Sequence, residues 1–232
     1  MAERISEQFQ SDLNALKNKL LLMGGLIESM LDEVLLALEC GDFYMAESII
    51  ARDRDVDQLE KQIDQAALEL LALRQPNASD LRFVTSSFKI CTDLERMGDS
   101  VVNICERIQE ILQFGKMPQN EILHSMLLRT KLQISKSLDA FVNQSTDLAA
   151  EVLAGDVEID RLTAKVYEEM TERMRLNSNF VEVGMKIFSI AKHMERMSDH
   201  ATNIGEQVVF VVKGLDIRHS RGGLGPTPFP SN

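Results

Sequence analysis

Glu95-Arg96-Met97-Gly98-Asp99, running on to Asn103, Ile104 and Glu106, returns a hundred positions later as Glu195-Arg196-Met197-Ser198-Asp199 with Asn203, Ile204 and Glu206. Upstream, Phe88 and Ile90 are echoed by Phe188 and Ile190 at the same offset. Self-similarity at a fixed offset marks two copies of one structural unit. On a helix advancing about 100° per residue, Glu95, Asp99, Asn103 and Glu106 fall within about 80° of one another, and Ile90, Leu94, Met97, Val101, Ile104 and Ile108 occupy the opposite side. The motif is therefore an amphipathic helix whose acids face away from an apolar core.

Working outward from this stretch, a second offset of 103 pairs Ala46 with Ala149, Ile50 with Leu153, Asp53 with Asp156 and Asp57 with Asp160. Glu60 and Asp64 continue the Asp53–Asp57 stripe. Each copy thus offers two acid-x-x-x-acid steps, one on each of two helices. The same pairing decides a local ambiguity: Gly155-Asp156 reads as a helix stop, yet it aligns with Arg52-Asp53 in mid-helix. The helix there is expected to continue at a glycine cost of about 1 kcal/mol.

The apolar periodicity sets the remaining elements. Phe9, Leu13, Leu16, Leu20, Met23, Ile27, Met30, Val34 and Leu38 step by three and four, giving a helix from Ile5 to about Glu39 that Gly41-Asp42 ends. A second helix runs from Phe43 to Leu73, burying Val56, Leu59, Ile63, Ala66, Leu70 and Leu73, and stops before Pro76. Ser79 or Asp80 caps the third, which fades near Gln113-Phe114-Gly115. After Met117-Pro118, a fourth helix starts near Asn120 and buries Leu123, Leu127, Ile134, Leu138 and Phe141. The fifth spans Ser145 to Leu176 after a turn at Asn143 to Thr146, and the sixth spans Asn179 to Lys213. The expected fold is all-α: six long helices in two tandem, pseudo-repeated three-helix bundles. Residues 1–116 form the first repeat, residues 117–219 the second, and the Gly- and Pro-rich residues 220–232 a disordered tail.

Composition narrows the class. Of 232 residues, 44% are hydrophobic and 5% aromatic, with no Trp, which suits aliphatic packing between helices. Twenty-five basic against thirty-six acidic residues give a net charge of -11, which argues against binding nucleic acid or an anionic membrane directly. Cys40, Cys91 and Cys105 lack C-x-x-C spacing and read as buried free thiols of a reducing compartment. The charged N-terminus lacks a signal-peptide core, and the Leu20 to Ile27 run is too short to span a bilayer, so the expected location is cytoplasmic.

Carboxylates stacked one helical turn apart repel each other unless something positive lies between them. Four of them converging from two helices form a hard oxygen site for Mg, Ca, Mn or iron, with Asn103 and Asn203 as further donors and His193 or His200 nearby. Ferritin-like di-iron chemistry is disfavoured, because it needs inward Glu-x-x-His pairs and positions 98 and 198 are Gly and Ser. Two other readings stay open: a solvated acidic surface on a scaffold, with Arg96 and Arg196 offsetting part of the charge, and a metal-dependent enzyme with a carboxylate-bridged site. No Ser-His-Asp order, phosphate-cradling glycine loop or H-E-x-x-H signature supports catalysis, and the chain reads as a non-enzyme.

With these residues in view, the sequence resembles the PhoU family. The resemblance rests on Pro76-x-x-x-Asp80-Leu81-Arg82, the runs at Glu95 to Ile104 and Glu195 to Ile204 with His200, and the ending Val212 to His219. It implies a cytoplasmic adaptor that negatively modulates the phosphate-specific ABC transporter, through its ATPase, and the sensor histidine kinase of the phosphate-starvation response. Any contact with the membrane would run through those partners. It further implies a homodimer, and surface metal sites holding multinuclear iron, or Zn, Mn, Mg or Ca. Carried over by position, the ligands are Asp53, Asp57, Glu95 and Asp99 in one copy and Asp156, Asp160, Glu195 and Asp199 in the other. Asn103, Glu106, Asn203 and Glu206 extend the motif.

Overall fold

Aliphatic residues spaced for helices meet helix-stopping signals at each expected junction, and the computed structural model, which describes residues 2–74 and 76–217, follows that pattern. The elements are α1 (Ala2–Cys40), α2 (Phe43–Ala51), α3 (Asp53–Arg74), α4 (Ala78–Leu112), α5 (Glu121–Val142), α6 (Thr146–Leu176) and α7 (Val181–Lys213), with a 3-10 turn at Ser178–Phe180 before α7. Helices α1 to α4 make the first copy and α5 to α7 the second. The expectation of a disordered tail, and the last two residues of the Val212 to His219 motif, lie outside the described residues.

Each end has a chemical cause. Gly41 takes φ of 63° after α1, a left-handed conformation that glycine adopts without steric cost. The Asp42 side chain then accepts the Tyr44 and Met45 N–H groups at 2.9 and 3.0 Å. Helix α4 is capped two to three residues earlier than the sequence suggests. Asn77 Oδ1 accepts the N–H groups of Ser79 and Asp80 at 3.0 and 3.1 Å, so those two residues are recipients of the cap rather than its source.

The second rod is divided. At Arg52 the backbone tightens by one turn, with Arg52 N–H donating to Ile49 O at 3.0 Å and Asp55 N–H to Arg52 O at 2.9 Å. Here the Arg52 guanidinium reaches back to Glu33 and to Ser29 Oγ on α1. Its repeat mate Gly155 lies inside the unbroken α6, and a β-carbon there would stand 2.5 Å from Gln133 Nε2. The glycine makes room for the Gln133 amide, which donates to Val152 O at 3.3 Å.

One hydrophobic core runs through both copies. Leu13, Leu16, Leu20, Met23, Ile27, Met30 and Val34 of α1 are buried, as are Leu123, Leu127, Ile134, Leu138 and Phe141 of α5. Phe83 of α4 stacks on Phe141 of α5, with centroids 4.7 Å apart. Leu73, expected inside, is exposed on the last turn of α3, and Cys40 is exposed, whereas Cys91 and Cys105 are buried.

The copies meet along two antiparallel seams. Helix α1 lies on α5, where a β-carbon on Gly24 would come within 2.0 Å of Leu138 Cδ1, so the close approach depends on glycine. Helix α4 lies on α7: Arg82 Nε donates to Val211 O at 3.2 Å, and Lys186 pairs with Glu110 at 2.6 Å near the other end. Among the described residues, no helix is long and apolar enough to cross a membrane.

Candidate functional site

Both acidic stripes sit on the outer edge of a two-helix contact. In the first copy, Val56, Leu59 and Ile63 turn α3 inward and Leu94, Met97 and Val101 turn α4 inward, leaving Asp53, Asp57, Glu60, Glu95 and Asp99 along the outer seam. Gly98 sets the spacing: Val56 Cγ1 and Asp53 Oδ1 lie 3.1 and 3.4 Å from where its β-carbon would stand.

Electrostatics confirm that these acids share one field. Partial burial, then Asp57 and Asp99, push the Asp53 carboxyl above the usual range. Glu95 is raised by partial burial, then by Asp99, Glu60 and Asp53, with Arg96 opposing. In the second copy Asp160 is raised by partial burial, then by Asp156 and Glu195, with Lys192 opposing. Asp199 is raised by partial burial, then by Asp156, Glu195 and Asp160, with His200 opposing. The eight repeat-matched acids therefore form two groups of four, each spanning two helices.

The extensions behave differently. Asn103 Nδ2 donates to Asp99 O of its own helix at 2.7 Å, and Glu106 pairs with Arg107 at 3.2 Å. Asn203 Nδ2 is drawn across to Asp93 Oδ1 on α4 at 3.1 Å, and Glu206 is half-buried on α7. His200 Nδ1 also meets Asp93 Oδ1, at 2.9 Å. His193 has a buried Nδ1 without a hydrogen-bond partner, and burial, then Arg196 and Arg107, holds its pKa down.

Three contributors escaped the sequence reading. The Ser198 hydroxyl lies 2.7 Å from Asp156 Oδ1 and 2.6 Å from Gln133 Oε1. Lys192 Nζ lies 2.5 Å from Glu195 Oε2. Asp93, buried between α4 and α7, anchors His200 and Asn203. Their signal was present where the copies differ: Ser198 against Gly98, Lys192 against Thr92, His193 against Asp93.

Partly buried carboxylates whose pKa values are raised by that burial and by one another's charge are the donors that hard cations seek, and both stripes contain them. Among the described residues, no three His, Cys, Asp or Glu side chains are gathered closely enough to hold an ion, so neither stripe is a preformed cage. Ser198 and His200 serve different acids, Asp156 and Asp93, which is not the shared relay of a nucleophilic triad. A cavity of about 490 Å³ lined by Leu35, Leu38, Met117, Pro118 and Leu123 opens at the α1–α5 end of the molecule, apart from both stripes.

The family model described as "PhoU domain" matches residues 20–108 and again residues 123–208. The phosphate-specific transport system accessory protein PhoU homolog of Pseudomonas putida is 33% identical over 221 residues, covering 94% of this chain and 86% of that protein. The accessory protein PhoU of Escherichia coli K12 is 30% identical over 220 residues, covering 95% of this chain and 91% of that protein. Among solved structures, PhoU from Pseudomonas aeruginosa matches with a TM-score of 0.84 at 31% identity, over 89% of this chain and 100% of that one. The phosphate transport system regulatory protein PhoU from Streptococcus pneumoniae gives 0.84 and 31%, over 90% and 99%.

Proposed function

The chain belongs to the PhoU family, and from that premise we propose that it regulates phosphate uptake as an adaptor rather than an enzyme. The observation that carries this is the match along both copies to proteins named as accessory or regulatory components of the phosphate-specific transport system. On this reading it is a cytoplasmic homodimer that restrains the ABC transporter, through its ATPase subunit, and the sensor histidine kinase when phosphate is plentiful. Long helical faces bearing surface acids suit docking to basic partner surfaces, and the charge of -11 suits proteins rather than nucleic acid as partners.

Within the same reading, the acids hold a hard cation. Asp53, Asp57, Glu95 and Asp99 are the ligands of the first copy, with Glu60 beside them; an ion there would supply positive charge that relieves their repulsion and ties α3 to α4.

Capture of the tagged full-length chain from phosphate-replete and phosphate-starved cells tests the adaptor role. Recovery of the transporter ATPase or the sensor kinase, stronger from replete cells, is the expected result. Recovery of neither under either condition would overturn it.

A further inference from the structure

The two stripes descend from one pattern, but three of the matched positions that border them carry different groups. On α7, Lys192 places its ammonium 2.5 Å from Glu195 Oε2. It lines the same surface groove, about 480 Å³, as Asp160 and Glu195. The matching residue on α4 is Thr92, whose hydroxyl is spent on Phe88 O at 3.1 Å. Glu60, which adds a fifth carboxylate to the first stripe, is matched by Thr163, whose hydroxyl donates to Ile159 O at 3.1 Å. Gly98, which offers Asp53 no hydrogen bond, is matched by Ser198, whose hydroxyl lies 2.7 Å from Asp156. Arg96 and Arg196 are common to both copies and do not discriminate. Each of the three exchanges removes negative charge from the second stripe, adds positive charge to it, or gives it a hydrogen-bond donor.

An ammonium close to two carboxylates does the work a metal ion would do, and a dication entering beside it meets a like charge at short range. Resting on the reading of the stripes as cation sites, we infer that Lys192 is the built-in counter-ion of the second stripe and keeps divalent cations out of it. Of the residues that the repeat makes equivalent, Asp156, Asp160, Glu195 and Asp199 are then structural acids, and the duplicated motif has kept its cation chemistry in one copy only. The second stripe then carries a covalently attached counter-charge, supplied from within α7, and does not respond to metal supply, whereas the edge of α3 and α4 does.

Mn2+ binding by the chelator-stripped full-length chain, read by equilibrium dialysis and electron paramagnetic resonance, tests this. The expected result is that Glu195→Gln with Asp199→Asn leaves the bound Mn2+ of the otherwise native chain unchanged. Lys192→Thr gains about one Mn2+ per chain, a gain that Glu195→Gln abolishes and that Lys192→Arg does not produce. Circular dichroism of each variant in chelator establishes that it is folded. The inference is overturned if Glu195→Gln with Asp199→Asn strips Mn2+ from the native chain, or if Lys192→Thr gains none. The underlying reading fails separately: a native chain that binds no Mn2+ while Lys192→Thr binds it removes the first stripe as a cation site and leaves the role of Lys192 standing.

Discussion

The Ser198 hydroxyl lies 2.7 Å from Asp156, and at the matching place in the first copy Gly98 leaves Asp53 Oδ1 3.4 Å from an empty β-position. One copy supplies its buried-edge acid with a hydrogen bond and the other leaves the same acid to its neighbours' charge. Ser198 Oγ also lies 2.6 Å from Gln133 Oε1, so one hydroxyl proton stands between two acceptors on two helices. Ser198→Ala should cost about 1–3 kcal/mol, the price of leaving buried polar groups unpaired. Urea unfolding checks it, and an unshifted midpoint would show that the α5, α6 and α7 contacts do not depend on this hydroxyl.

Across the α4–α7 seam, Asp93 accepts from Asn203 and meets His200 Nδ1, all beside a buried aliphatic core. The repeat mates of these three residues are His193, Asn103 and Ser100, and they do not reproduce the network: Ser100 donates to Arg96 O and Asn103 to Asp99 O. The polar pin is therefore on one side of the seam only. Asp93→Ala should destabilise by about 1–3 kcal/mol through the two stranded partners, and a double-mutant cycle with His200→Ala should show non-additivity. Strict additivity would remove the coupling.

The rods were legible because aliphatic spacing along α1, α4, α5 and α7 is long and uninterrupted, and the repeat settled Gly155 against its own propensity. What the sequence hid was local competition between polar side chains. Nothing in Arg52 itself announces that its guanidinium will reach α1 and tighten the turn there. The acids were legible as stripes because i, i+4 spacing stacks them on one face. Their unequal surroundings were not, because Lys192 and Ser198 matter only through partners on other residues and other helices. Comparing the copies residue by residue, rather than only where they agree, brings both out.

Ser79 and Asp80 also looked like caps, and Asn77 takes that role because Ala78 is already helical, which puts Ser79 and Asp80 where their N–H groups need an acceptor. Asn77→Ala should cost about 1 kcal/mol of stability. Ser79→Ala, which keeps the Asn77 contacts to the backbone, should cost much less. Equal losses in thermal midpoint would return the cap to Ser79.

Partial burial and charge repulsion on the first stripe together have a pH signature of definite sign. Asp53 and Glu95 have folded pKa values raised above their ordinary ones, so the folded state holds those protons more tightly than the unfolded chain. Their penalty is fully present above the raised values and is relieved as pH falls through them toward the ordinary carboxylate range. His193, held below its ordinary pKa by burial, works in the opposite sense: the unfolded chain takes up its proton first, and stability is lost as pH falls below about 6.5. Single substitutions separate the two. In chelator, Asp53→Asn should be more stable than the native chain at neutral pH, with the advantage vanishing once pH drops below the ordinary aspartate value. High salt should shrink that advantage by screening the Asp57 and Asp99 charges, and leave the part due to burial. A stability difference independent of pH would mean that Asp53 does not carry the repulsion, and the first stripe would lose its claim to be the uncompensated one.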